Sequence, residues 1–267
     1  MLRNNFGLKA NLHLVRIGLI QFQVYRMATW FNIISSVFWI VIQYYFWKAV
    51  YEATVIPDYS FSQMLTYLCA SQIIFILFPN TSSQLSQLVK QGDIIHWLLK
   101  PISIIRQFFF EAIGISMYRL LNILLPILLI IFLVIQIIPL VSLLNFTKFL
   151  VVFVLSYLFV FLFEFFIGLC SFYTLSTWGI QSFKYAVITL LSGRFLPLSL
   201  YPDWVREIIE HLPFKIMYYY PLQILSNTAK QSLIEMIGYQ LVWTGILGIL
   251  VYAFYQKVMK SIMIQGG

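Results

Sequence analysis

The chain has 267 residues, 61% of them hydrophobic and 10% charged, with a mean hydropathy of +0.88. A soluble globular domain is about half apolar and about a quarter charged, so this composition describes an integral membrane protein with no room for a large soluble domain. The net charge of +8 needs no nucleic-acid partner, because anionic lipid at one membrane face is enough to answer it.

The N-terminal segment is not expected to be a cleavable signal peptide. Arg16 and Arg26 interrupt any apolar core, and no small-residue cleavage site follows. Leu8, Leu12, Val15, Leu19 and Phe22 instead form one apolar stripe at helical spacing, with Lys9, His13, Arg16, Gln23 and Arg26 on other faces. Such a helix rests in the membrane interface. It is either a plain anchor or a lever joined to the first span.

Six apolar runs follow, each near the ~20 residues needed to span a bilayer. They lie near 28–50, 63–82, 116–138, 148–174, 177–198 and 236–257. The fifth is short, with Lys184 near its start and Arg194 near its end, and its boundary with the fourth is only a brief polar turn around Gly179. The second is expected to run on as helix through NTSSQLSQLVKQ until Gly92, which suits the left-handed position past a helix end. Asp93 then suits the N-cap of a short helix, Ile94–Leu99, closed by Pro101. Ile95, Trp97, Leu98 and Leu99 give this helix an apolar surface. Either it packs on its own neighbours or it is a knob for a partner with a matching groove.

Residues 192–225 lie between the last two runs but are cut by Pro197, Pro202, Pro213 and Pro221. Between the middle pair sits an amphipathic helix, Asp203–Leu212. Trp204, Val205, Ile208, Ile209 and Leu212 fall on one face, and Asp203, Arg206, Glu207, Glu210 and His211 on the other. At roughly 15 Å it is too short to cross, so it lies along or dips into the membrane face.

With both ends placed inside, the inner segments carry most of the basic residues, from Arg3 and Lys9 through Lys90, Lys100 and Arg106 to Lys257 and Lys260. Asp93 and Glu111 are their acids, and the outer segments balance. The positive-inside rule makes the basic side cytoplasmic. Arg106 and Glu111 read as a solvated helix face on that side. Glu164 sits on the order of 15 Å deep in the fourth run, and an intramembrane carboxylate is a functional candidate by default. It pairs with Arg119, or lines a cleft for a cationic substrate, or is a protonated packing residue. Cys69 and Cys170 lie within apolar runs as small buried hydrophobes. His13, His96 and His211 fall on separate segments, so no metal chemistry is expected.

Residues 91–101, QGDIIHWLLKP, resemble the inner-loop motif of a subfamily of ABC-2 type permeases, the membrane subunits of bacterial ABC exporters. LSGRFLPLSLYPDW, then LPF, then YYYP, resemble the same family's outer loop in both order and spacing. The resemblance implies an all-α membrane protein of six transmembrane helices. It adds an N-terminal interfacial connector (5–26), a short coupling helix in an inner loop (83–105) and a re-entrant outer segment (195–225) before the last span. It implies a single permease domain over 1–267, in a bacterial cell membrane, with both termini cytoplasmic.

By the same resemblance, Gly92, Asp93, Ile94, Ile95, Trp97, Leu98, Lys100 and Pro101 couple to the ATPase subunits. Pro197, Pro202, Asp203, Trp204, Pro213 and Phe214 form an outer gate. The implied partners are ABC ATPase subunits and a second copy or a related permease. The implied cargo is a drug, an antibiotic peptide or a lipid-like amphiphile. No G-x-x-x-x-G-K-[ST] loop is present, so this chain is not expected to hold ATP phosphates itself; the resemblance implies that ATP and Mg belong to the partner subunits and that this chain is non-catalytic. The alternatives are a proton-coupled secondary transporter using Glu164 and a non-transporting immunity or binding protein. A membrane enzyme would need clustered nucleophiles, bases or metal ligands, and none is visible.

Overall fold

The computed structural model describes residues 2–21, 26–54, 56, 58–135, 142–174 and 177–265, and among these every regular element is helical. In chain order they are α1 (Leu2–Gln21), α2 (Arg26–Ala53), α3 (Phe61–Leu77), α4 (Thr81–Gln91), α5 (Ile94–Leu98) and α6 (Ile104–Arg119). A π-helical turn at Leu120–Leu124 runs into α7 (Leu125–Ile135). Then come α8 (Leu143–Cys170), α9 (Thr177–Leu191), α10 (Asp203–His211), α11 (Tyr219–Leu225) and α12 (Leu233–Gln265). Phe22 of the expected stripe and residues 136–138 of the expected third run lie outside the described residues.

Five helical stretches are long and apolar enough to cross a membrane: Met27–Ala53, Phe61–Gln91, Ile104–Ile130, Leu143–Cys170 and Leu233–Lys260. The chain is a multi-pass membrane protein. The fifth expected run behaves differently. α9 has 15 residues, about 22 Å of helix, and stops where Ser192 and Gly193 turn the chain, with Gly193 at φ +78°. The third crossing starts at Ile104, well before 116, because its polar residues have partners inside the bundle. Glu111 and Gln107 are buried, and Arg106 donates to Asn11 Oδ1 (2.8 Å) and to the Gly7 carbonyl (3.0 Å) on α1. The expected solvated face at Arg106 and Glu111 is therefore a helix–helix contact.

α8 forms the spine. Its first half packs with the end of α2, with α3 along its length, with residues 213–225 and with the start of α12 around Phe149, Val152 and Phe159. Its second half packs with α4, α5, the start of α6 and the far part of α12 around Phe161, Phe165 and Leu169. The two proline- and glycine-punctuated segments, around α5 and around α10–α11, thus sit at opposite ends of the bundle.

α1 lies along α6, but not on the expected stripe. Leu8 and Leu12 are exposed, whereas Gly7, Asn11, Leu14 and Gly18 face α6. A Cβ on Gly18 would fall 2.3 Å from the Glu111 carbonyl oxygen, and one on Gly114 would fall 2.1 Å from that of Val15. The backbones touch at this crossing, the packing that small residues permit in membranes. Gly18→Val is expected to push α1 off α6 at a cost of about 1–3 kcal/mol. A lowered unfolding temperature in detergent, with faster proteolysis within residues 2–21, is the measurable outcome.

Candidate functional site

The most informative geometry is a break in the second membrane helix. Pro79 has no amide hydrogen and disfavours helical backbone at the residue before it. Phe78 accordingly leaves the helix (ψ 144°), ending α3, and Asn80 starts α4. The expectation of unbroken helix to Gly92 fails here, inside the apolar core. Backbone groups freed at such a depth must find partners in the protein.

They find charged ones. At the C-terminal end of α3, Arg119 Nη1 donates to the carbonyls of Ile76 (3.2 Å) and Phe78 (2.9 Å), and Ser116 Oγ donates to that of Leu77 (2.7 Å). At the N-terminal end of α4, Glu164 Oε2 accepts from the Ser82 amide (3.1 Å) and the Ser82 hydroxyl (2.5 Å). A cation thus sits at the negative end of one half-helix dipole and an anion at the positive end of the next. The same logic places charges at interrupted helices in transporters.

Glu164 is paired with Lys184 of α9, not Arg119. Lys184 Nζ lies 2.8 Å from Glu164 Oε1, and both side chains are almost wholly buried. The ammonium also donates to Ser82 Oγ (2.8 Å) and Asn80 Oδ1 (3.2 Å). This last bond takes the Asn80 side chain away from capping its own helix. Glu164 therefore ties three elements, α4, α8 and α9, at one point. Nothing in the sequence spacing distinguishes Lys184 from Arg119 as its partner; the break at Pro79 decides it by bringing α4 and α9 together.

Glu164 and Arg119 do share a cavity of about 440 Å³ between α2, the α3–α4 break, α8 and the end of α9. Asn32, Ser36, Gln72, Asn80, Tyr185 and Arg194 also line it. The turn after α9 is stitched to α3: Tyr67 Oη donates to the Gly193 carbonyl (2.6 Å) and Ser71 Oγ to that of Arg194 (2.7 Å). Arg194, which sequence reading left as an end-of-span cation, projects its guanidinium over the Phe75 ring at 3.5 Å. A second cavity, of about 630 Å³ and almost wholly apolar, lies between α2, α3, the α6–α7 helix and α8, and Trp39 lines both.

At the α5 end, Gly92 is in the left-handed conformation (φ +80°), as a helix-terminating glycine should be. Asp93 precedes α5 but its side chain makes no capping bond. Its backbone is already helical (φ −70°, ψ −10°), which turns the carboxylate away from the first amides. α5 is five residues long, one fewer than expected. Its faces split sharply. Ile94 is buried and Leu98 half-buried. Trp97 stacks on Phe108 of α6 at 4.7 Å, with Lys100 Nζ 4.4 Å over its other side. Buried Gln107 donates to the carbonyls of Trp97 (3.0 Å) and Ile102 (2.8 Å). Ile95 and Leu99 point outward, 57% and 77% exposed. Pro101 lies in the turn that follows.

At the other end, α10 follows Pro202 and stops before Pro213. Asp203 opens it and pairs with Arg206 at 2.6 Å. Its expected apolar face is divided: Ile209 is buried, while Trp204 and Ile208 are exposed. Pro197 is buried and Phe214 packs on Phe163. The following residues run into the bundle, with Ile216, Met217 and Leu222 fully buried and the Ile216 carbonyl held by Ser156 Oγ (2.7 Å). Lys215 donates to the Glu210 carbonyl (2.7 Å), closing the end of α10. Burial pushes its ammonium below the usual lysine range, and the Glu210 carboxylate opposes that shift.

The residues expected to couple to a partner and those expected to form a gate thus lie at opposite ends, with the Glu164–Lys184 cluster between them. No curated protein matches the chain. The family model for ABC-2 family transporter proteins matches residues 17–266, nearly the whole length, and the chain belongs to that family of membrane transport components.

Proposed function

We propose that this chain is the permease subunit of an ATP-driven exporter in a bacterial cell membrane. It supplies half of a transport pathway and pairs with a second copy or a related permease. Separate ABC ATPase subunits, carrying the ATP and Mg, bind at the α5 end. That end, with both termini, is cytoplasmic.

The observation that carries this reading is the construction of α5. Two exposed apolar side chains, Ile95 on α5 and Leu99 at its C-cap, stand on a loop clamped to a membrane-crossing helix by a tryptophan stack and by Gln107 bonds to the Trp97 and Ile102 carbonyls. An exposed apolar pair on a rigid mount suits docking into a groove, and the mount suits transmission of a push. The push has a physical route. α6 carries Gln107 and Phe108 at one end and Arg119, which holds the broken end of α3, at the other. Closure of the ATPase pair would move α6 against α3 and alter access to the cavity at the break. Residues 195–225, tucked into the opposite end, would form the outer gate. The cargo falls among drugs, antibiotic peptides and lipid-like amphiphiles.

The test is copurification from native membranes in mild detergent. A stoichiometric ATPase subunit should accompany the chain. Ile95→Asp with Leu99→Asp should weaken that association at least 30-fold, the scale of losing an interface hot spot of about 2 kcal/mol. Recovery of the intact chain without any nucleotide-binding protein would count against the reading.

A further inference from the structure

The cavity at the helix break has a definite electrostatic sign. Arg119, Arg194 and Glu164 are the charged residues lining it among those described. Glu164 is neutralised by Lys184 at 2.8 Å. Arg194 rests on the Phe75 ring and has no carboxylate partner among the described residues. The cavity is therefore cationic, the reverse of what a cation site at Glu164 would need. A guanidinium in a water-poor interior is costly without a counter-charge, and its planar fork suits the paired oxygens of a phosphate or carboxylate. Asn32, Ser35, Ser36 and Gln72 add neutral polar groups to its lining.

Beyond Trp39 lies the apolar cavity, whose lining holds no charged residue. A polar, cationic chamber beside an apolar one, with Trp39 lining both, has the chemistry of a head-and-tail site. The 440 Å³ of the first and 630 Å³ of the second fall within the range of ligand pockets.

We propose that this pair of cavities binds an anionic amphiphile, with Arg194 holding the headgroup in the chamber at the α3–α4 break and the tail running past Trp39 into the apolar cavity. This binding stands apart from the identity of the energy-supplying partner, so loss of the ATPase reading leaves it intact.

The experiment uses the intact chain in phosphatidylcholine nanodiscs with three probes: dodecyl phosphate, dodecyltrimethylammonium and inorganic phosphate. Isothermal titration should show saturable binding of dodecyl phosphate. The other two should bind at least 100-fold more weakly. Equal binding of the ammonium probe would overturn the assigned charge preference. Equal binding of inorganic phosphate would assign the site to a free anion and overturn the amphiphile reading. Arg194→Gln should weaken dodecyl phosphate at least 10-fold with an unchanged unfolding temperature. Arg194→Lys keeps the charge, loses the fork and should fall between. If Arg194→Gln fails to fold, Arg194→Lys carries the test, and an affinity equal to that of the unaltered chain would remove Arg194 from the site.

Discussion

Glu164→Ala should destabilise the folded chain by about 3–5 kcal/mol, the scale of breaking a buried ion pair by removing one partner. The reason is specific to this site. The substitution leaves the Lys184 ammonium buried among Ser82 and Asn80 without its counter-charge, and leaves the Ser82 amide at the start of α4 without its acceptor. Glu164→Gln should cost less, because an amide oxygen can still accept from Ser82. The informative variant is the double replacement Glu164→Met with Lys184→Met. Removing both charges eliminates the unpaired-ion penalty, and such replacements are often neutral or stabilising. The double variant should recover most of the unfolding temperature lost by Glu164→Ala. If it then still supports transport, Glu164 is a structural tie at the helix break. If it folds and transport is abolished, the pair takes part in the transport cycle itself. A double variant no more stable than the single one would remove the ion pair as the cause.

The second large effect is expected at Trp97. Trp97→Ala removes the ring that stacks on Phe108 and supports Lys100, a truncation of the kind that costs about 3–5 kcal/mol in a well-packed setting. Here the loss falls on the joint between α5 and α6 more than on the bundle. Ile95 and Leu99 keep their exposure, so docking of a partner should survive in part. What fails is the rigid mount. In a complex with the proposed ATPase subunits, the expected result is ATP hydrolysis without transport, with transport down at least 10-fold. Ile95→Asp with Leu99→Asp should instead weaken association, by the same 30-fold or more. Measuring binding, hydrolysis and transport on both variants separates the docking surface from the linkage. If Trp97→Ala leaves transport at its original level, the tryptophan stack has no part in coupling.

Membrane character, the helical class and the positions of the punctuated loops follow from composition, hydropathy and proline placement. These are properties of local chain chemistry, which a bilayer amplifies because it forces backbone groups into helices. Gly92 at its left-handed turn and the bounds of α10 between Pro202 and Pro213 are likewise local, since glycine and proline act on their own dihedral angles and their immediate neighbours. Pro79 was equally legible as a helix breaker, yet its surroundings looked continuous because polar helix formers follow it.

What only the tertiary structure decided is pairing. Glu164 has several cations within reach of any plausible arrangement, and the choice of Lys184 depends on α9 stopping short and α4 starting at Asn80. The face of α1 that meets α6 was not legible in the sequence, because hydrophobic periodicity marks only the apolar stripe of a helix. In a membrane, lipid accepts that stripe as readily as protein does, and close helix contact goes to small residues such as Gly18 and Gly114. Trp97 and Ile95 are both apolar residues in one short loop. Which of them packs on the bundle and which stays exposed was decided by Phe108, eleven residues beyond Trp97 and on another helix.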